Sequence, residues 1–140
     1  MRRRSAFTLI EIVVVVMIIG ILVAIAAPRM LNVMGDATDN SVRQSLNVVR
    51  SAIETYATQN AGAFPSDANE AAFKTDVSPF LRGPFPKSSV GTADDTVTMS
   101  AADPLAADDA KGWMYNGTSG EFIINCTTMS EDGVTGYDEF

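Results

Sequence analysis

The chain contains no histidine and only one cysteine, Cys126, among its 140 residues. No disulfide can therefore form within the chain, and no cluster of histidines and cysteines can bind zinc. No motif brings a serine together with a lysine, or two carboxylates together, in a catalytic arrangement. The sequence argues against an enzyme, and the position of Cys126 after an apolar run predicts a small buried core residue.

Positive charge is also scarce, since 10 lysines and arginines face 17 aspartates and glutamates and the net charge is −7. Three of the arginines stand together at positions 2–4. Residues 94–140 carry ten acidic side chains and a single basic one, Lys111. Such a surface repels phosphate backbones, so direct binding to nucleic acid is not expected.

Long apolar runs are confined to one segment, Phe7 to Ala27, which has 21 residues. As a helix it would be about 31 Å long, close to the hydrocarbon thickness of a bilayer. Three arginines precede this segment, whereas the uncharged Pro28 follows it directly and a single arginine, Arg29, comes next. That asymmetry predicts a single membrane span with its N-terminus in the cytoplasm and the rest of the chain outside.

Glu11 lies within this apolar run. A carboxylate at the centre of a membrane helix costs about 2.5–3.5 kcal/mol, so it needs either a partner or access to the headgroups near the helix start. A different interpretation is an ordinary secretory signal, cut after the small-residue sequence "AIA" at 24–26. Cleavage there would release a soluble secreted binding domain.

A second period begins after Pro28, where apolar residues recur at steps of three and four with one longer gap. This stripe predicts an amphipathic helix face. The turn signal "NAG" at 60–62 predicts the helix end, so we expect one helix from about Phe7 to about Gln59. The stripe consists of Leu31, Met34, Val42, Leu46, Val49, Ile53 and Tyr56.

The remainder of the chain predicts loops, a short helix and three strands. Proline, glycine and aspartate punctuate it, with a helix expected at Asn69–Thr75. The runs "WMY" and "EFIIN" flank the turn sequence "NGTSG" and predict a hairpin, and Thr96–Met99 is the expected third strand. We therefore expect an α+β fold in which the helix stripe covers a small antiparallel sheet.

Residues 2–28, "RRRSAFTLIEIVVVVMIIGILVAIAAP", resemble the N-terminus of the type IV filament superfamily, which comprises type IV pilins and the pseudopilins of type II secretion. The resemblance implies that a prepilin peptidase cuts between Ala6 and Phe7 and that Phe7 becomes N-methylated. Ala6 stands where the family usually has glycine. The resemblance also implies that Glu11 pairs with a neighbouring subunit's new amine and thereby sets the assembly register.

The same resemblance divides the chain into four parts: a leader at 1–6, a transmembrane and filament-core helix at 7–28, its amphipathic continuation at 29–61, and a globular region at 62–140. Gly20 and Pro28 bracket a stretch that the family resemblance expects to unwind in the filament.

The second half, with "GPFPKSSVG" and "GWMYNGTSGEFIIN", resembles the major pseudopilin of type II secretion. Most type IV pilins close their C-terminal loop with a disulfide, which one cysteine cannot provide. The resemblance further implies calcium in the acidic loop "SEDGVTGYDEF", with Asp132 and Asp138 as candidate ligands. The spacing of these acids lacks the alternation typical of a calcium loop, and no other cofactor is expected.

The resemblance as a whole implies an inner-membrane subunit that polymerises into a helical filament supporting protein export. Its implied partners are further copies of the chain, a prepilin peptidase, an assembly ATPase with its membrane platform, and an outer-membrane channel. The alternative within the superfamily is a type IV pilus pilin in adhesion, motility or DNA uptake.

Overall fold

The computed structural model describes residues 8–140, apart from the side chains at positions 28, 29, 31 and 32. The chain divides into two compact units, with the boundary between Gly35 and Asp36. We call the second unit, Asp36–Phe140, the head.

Helix α1, Leu9–Gln59, contributes residues to both units. Its predicted end at Gln59 is confirmed, and Ala61 and Gly62 then adopt positive φ angles of 55° and 89° that turn the chain. The backbone stays helical through Gly20 and Pro28. Unwinding at those two positions concerns an assembled filament and stays a prediction.

The amphipathic stripe of α1 is confirmed within the head. Val42, Leu46, Val49 and Ile53 are each at most 2% exposed. Met34, which the sequence included in the stripe, is 67% exposed. The stripe therefore begins to cover a core only in the part of α1 that belongs to the head.

Helix α2, Glu70–Val77, follows the loop after α1 and is succeeded by a short 3₁₀ turn at Ser78–Phe80. The predicted short helix is thus confirmed, although it begins one residue later and ends two residues later than expected. Asn69 begins it, because its side-chain oxygen accepts a 2.9 Å hydrogen bond from the Ala72 amide.

Three strands form one sheet in the order β1-β2-β3: β1 Val97–Met99, β2 Trp113–Tyr115 and β3 Phe122–Ile124. The predicted hairpin is confirmed, since β2 and β3 are antiparallel. The prediction that the whole sheet is antiparallel was wrong, because β1 runs parallel to β2. The connection at 100–112 is long enough to return the chain to the same edge, as a parallel pair requires.

That connection lies against the outer face of the sheet. Leu105 packs there with Met114 and Ile123. Asn116 donates a 2.7 Å hydrogen bond to the Ala102 carbonyl, and the Asn125 side chain accepts one of 2.7 Å from the Asp108 amide. Because these asparagines are buried and bonded to main-chain groups, the connection keeps β1 in its parallel position.

The main core lies between the α1 stripe, α2 and the inner face of the sheet. Phe73 of α2 stacks near Tyr115 with ring centroids 4.3 Å apart, and Trp113 lies 5.2 Å from Phe122. Cys126 is buried in the same cluster, which confirms its predicted place in the core.

Candidate assembly site

The start of α1 brings Thr8 and Glu11 together. One Glu11 carboxylate oxygen accepts 2.8 Å hydrogen bonds from both the amide and the hydroxyl of Thr8. The Thr8 hydroxyl oxygen in turn accepts a 3.3 Å bond from the Glu11 amide. This reciprocal arrangement is a capping box, which satisfies amide groups that a helix start leaves without partners.

The capping box explains how the charged side chain of Glu11 is accommodated near the start of the apolar run. Glu11 lies at the third position of the helix, where a carboxylate also interacts favourably with the helix dipole. Its second carboxylate oxygen makes no hydrogen bond among the described residues, so it can accept a hydrogen bond from another donor. The sequence "TLIE" carries the signal for this motif, a threonine three residues before a glutamate.

Beyond Glu11, apolar side chains cover every side of the helix. Leu9–Ala27 has a mean hydropathy of 3.2 and is long and apolar enough to cross a membrane, and none of it is buried. Glu11 lies in a shallow hollow of this surface with Ile10, Val14 and Val15. A surface of this size on all sides needs lipid or other apolar helices around it.

Four other residues were predicted to act in cleavage or assembly: Ala6, Phe7, Gly20 and Pro28. Ala6 and Phe7, the predicted cleavage point and methylation site, lie outside the described residues. Gly20 lies on the open helix surface, where a Cβ would meet nothing within 4 Å beyond the adjacent helix backbone. Nothing in the described part of the chain brings Gly20 or Pro28 to Glu11.

The C-terminal segment of the head is fastened to α1 without a disulfide. Tyr137 donates a 2.7 Å hydrogen bond from its hydroxyl to Asp39. The Arg43 guanidinium lies 3.5 Å from the centre of the Phe140 ring, and Arg50 donates a 2.7 Å bond to the main-chain oxygen of Phe140. These contacts, which the sequence did not predict, hold the C-terminal segment of the head against α1.

Asp132, a candidate calcium ligand, is bonded within its own loop. One carboxylate oxygen accepts from the Ser130 hydroxyl and from the amides of Val134 and Thr135, and the other accepts from the Thr135 hydroxyl at 2.8 Å. The amide of Thr135, followed by that of Val134, holds the pKa of Asp132 well below its ordinary value.

This loop conformation does not fit a calcium site. Among residues 8–140 no group of three or more acidic, cysteine or histidine side chains is placed to hold a metal ion, so Asp138 does not join Asp132 in one. Calcium would require Asp132 to exchange its hydrogen bonds for the cation. Calcium binding, which the resemblance implied, is untested, and the hydrogen bonds of Asp132 argue against it.

Comparison with known proteins bears on the same N-terminal segment. Residues 1–27 match the family model described as the prokaryotic N-terminal methylation motif. This motif and the relatives described next make the chain a type IV pilin-like protein. Its α+β fold, an apolar first helix followed by a small mixed sheet, is consistent with that class.

Curated relatives come from two kinds of system. The chain is 43% identical to the type IV narrow pilus major component PilA5 of Thermus thermophilus over 60 residues, 43% of this chain and 52% of the relative. It is 34% identical to the type IV major fimbrial protein FimA of Dichelobacter nodosus over 108 residues, 76% of this chain and 66% of the relative.

The third relative is the type II secretion system core protein G of Pseudomonas aeruginosa, 37% identical over 65 residues, 46% of this chain and 45% of the relative. The matches thus span about half to two thirds of the length of these relatives. No solved structure matches the chain at a significant level.

Proposed function

We propose that the protein is a filament subunit that is cut between Ala6 and Phe7, N-methylated on Phe7, and polymerised from the inner membrane with its head outside. The observation that carries the proposal is the fully exposed apolar surface of Leu9–Ala27 with the Glu11 carboxylate near its start. Parallel packing of such helices would bury that surface, as polymerisation requires.

Glu11 has a specific part in this proposal. In the single chain Thr8 satisfies one carboxylate oxygen, which lowers the cost of keeping Glu11 in the bilayer before assembly. Cleavage creates a positive amine on Phe7. The second carboxylate oxygen of Glu11 can accept a hydrogen bond from that amine in a neighbouring copy. Loss of one partner from a buried charge pair typically costs 3–5 kcal/mol, so the pairing would select one axial register.

Within this class we propose a type II secretion pseudopilus. The single cysteine and the C-terminal segment fastened by Tyr137 and Phe140 support it, as does the similarity to core protein G. Its machinery would be a prepilin peptidase, an assembly ATPase acting through a membrane platform, and an outer-membrane channel. The alternative, a surface pilus subunit, is favoured by the similarity to PilA5 and FimA.

Mass spectrometry of the mature N-terminus tests the first step. The full chain, extracted from the membranes of a bacterium with a prepilin peptidase, should begin with N-methylated Phe7. Ala6→Gly is the matched variant, since it restores the smaller residue at the cleaved bond and should be processed at least as fully. An N-terminus at Ala27 would instead indicate a released secreted domain and contradict the proposal.

Filament recovery tests the second step and separates the two systems. In a host that carries a type II secretion system and lacks its own major pseudopilin, the chain should yield filaments and restore protein export. Filaments with surface adhesion or twitching motility, but without restored export, would support the pilus alternative. Full processing without filaments in either background would contradict the filament proposal.

A further inference from the structure

A rigid hairpin projects near the end of the head. Met129 and Gly136 form an antiparallel bridge, and the Ser130 amide donates a 2.9 Å hydrogen bond to the Thr135 carbonyl. Gly133 turns the chain with a φ of +67°, and Asp132 binds the loop from within. We call residues 129–136 the C-terminal hairpin. Its shape is set before any partner binds, which reduces the entropy lost on binding.

The C-terminal hairpin presents apolar side chains to solvent. Val134 is 79% exposed and Met129 is 60% exposed, the two largest values for large apolar residues in the head. Glu131 lies between them in sequence, exposed and without an ion pair among the described residues. Two exposed apolar groups beside an acidic group suit a partner surface that offers both apolar contacts and a positive charge.

A groove of complementary character runs along the exposed side of α1 in the head. Val48, 45% exposed, and Phe80 give it an apolar floor, while Arg43 and Arg82 line it with positive charge. Its volume is about 640 Å³. Arg82 is exposed and has neither a hydrogen bond nor an ion pair within the described residues. We call this the α1 groove.

We propose that the C-terminal hairpin of one copy binds in the α1 groove of the next. Val134 and Met129 would cover Val48 and Phe80, and Glu131 would pair with Arg82. Both surfaces are exposed in the single chain, so the hairpin does not occupy its own groove. The inference rests on the proposed function only in naming a second copy as the occupant.

Charge complementarity between the hairpin and the groove supports a second copy as the occupant. The net charge of −7 makes two copies repel each other at a distance, and a local contact between opposite charges offsets that repulsion. Arg43 and Arg82 in the groove and Glu131 on the hairpin provide that contact. Since the two surfaces differ, the contact is heterologous and repeats from copy to copy, which produces an open helical polymer rather than a closed dimer.

Cysteine crosslinking between full-length chains tests the contact. Chains with Val134→Cys and chains with Val48→Cys, expressed together in one membrane, should form a disulfide-linked dimer on mild oxidation. Each variant alone should give none, and the buried Cys126 should not react. Phe64→Cys is the matched control in place of Val48→Cys, because Phe64 is 36% exposed and does not line the α1 groove.

Charge reversal provides a second measurement. Glu131→Arg and Arg82→Glu should each reduce the yield of the 134–48 crosslink about threefold, as expected for an exposed ion pair turned repulsive, and the double variant should restore it. Both positions are exposed, so neither variant should impair folding.

The outcomes separate this inference from the proposed function. Filaments without the 134–48 crosslink and without charge rescue would overturn the hairpin contact and leave the filament proposal intact. A strong crosslink from Val134→Cys alone would indicate hairpin against hairpin and also overturn it. The 134–48 crosslink in membranes that never yield filaments would support the contact and overturn the filament proposal.

Discussion

The hydroxyl of Tyr137 donates a 2.7 Å hydrogen bond to the carboxylate of Asp39, 98 positions earlier in the chain. Tyr137 is buried, and burial, followed by the bond to Asp39, raises the pKa of its phenol. The bond closes the C-terminal segment onto α1, where Arg43 and Arg50 hold Phe140. The C-terminal segment is thus held to α1 by noncovalent contacts alone.

Tyr137→Phe should lower the free energy of unfolding of the head by about 1.5 kcal/mol, the lower end of what a hydrogen bond to a charged group contributes. Denaturant unfolding of the full chain in detergent, followed by Trp113 fluorescence, measures it. Tyr56→Phe is the matched control, since the Tyr56 hydroxyl has no hydrogen bond within the described residues. Equal losses in both variants would show that the bond to Asp39 does not stabilise the head.

Thr8→Val should weaken the start of α1 by about 1 kcal/mol, because valine keeps the shape but removes the cap. Glu11→Ala should leave membrane insertion intact or improve it, since a costly charge disappears, yet it should reduce filament yield. We expect Thr8→Val to reduce that yield less, because it leaves the carboxylate available to a neighbour. Carbonate extraction and shear-released filament yield measure insertion and assembly.

A wild-type filament yield from Glu11→Ala would show that the carboxylate only reaches the headgroups. Equal losses of filament yield from Thr8→Val and Glu11→Ala would instead show that Glu11 acts only through the capping box.

The head should lose stability as the pH falls below the ordinary glutamate pKa of 4.5. Burial raises the pKa of Glu70, but the hydrogen bonds from Lys74 and Lys111 outweigh that effect. The pKa of Glu70 is therefore lower in the folded protein than in the unfolded chain. Its stabilisation is therefore present above the unfolded pKa and disappears as the pH falls through the folded pKa. Glu70→Gln should flatten this acid slope in melting curves recorded between pH 6 and pH 3.

Glu54→Gln is the control for that titration, because Glu54 makes no ion pair among the described residues. The ion-pair explanation is wrong if both variants change the acid slope equally.

A calcium titration tests the role of Asp132. With its hydrogen bonds to Ser130, Val134 and Thr135 in place, we expect equal melting temperatures in millimolar calcium and in chelator at matched ionic strength. A melting temperature that rises with the logarithm of calcium concentration, by about 2.7 kcal/mol of stability at a hundredfold excess over Kd, would show calcium bound in the loop. Asp132→Asn would then abolish the rise.

The sequence by itself determined the local elements. The apolar run and the stripe from Val42 to Ile53 predicted α1, because apolar residues that recur at steps of three and four over many residues indicate a helix rather than a strand. The turn at 116–120 predicted the β2–β3 hairpin, since its strands are neighbours in sequence. Even the pairing of Thr8 with Glu11 was available from their spacing.

Only the tertiary structure decided the direction of β1 and the fastening of the C-terminal segment. A three-residue strand such as Val97–Met99 pairs in either direction, and the choice came from the buried asparagines and Leu105 that hold its return connection. Asp39 and Tyr137 carry no local pattern that links them. Their contact exists because the folded core brings the end of the chain back to α1, and spacing along the sequence does not encode such long-range contacts.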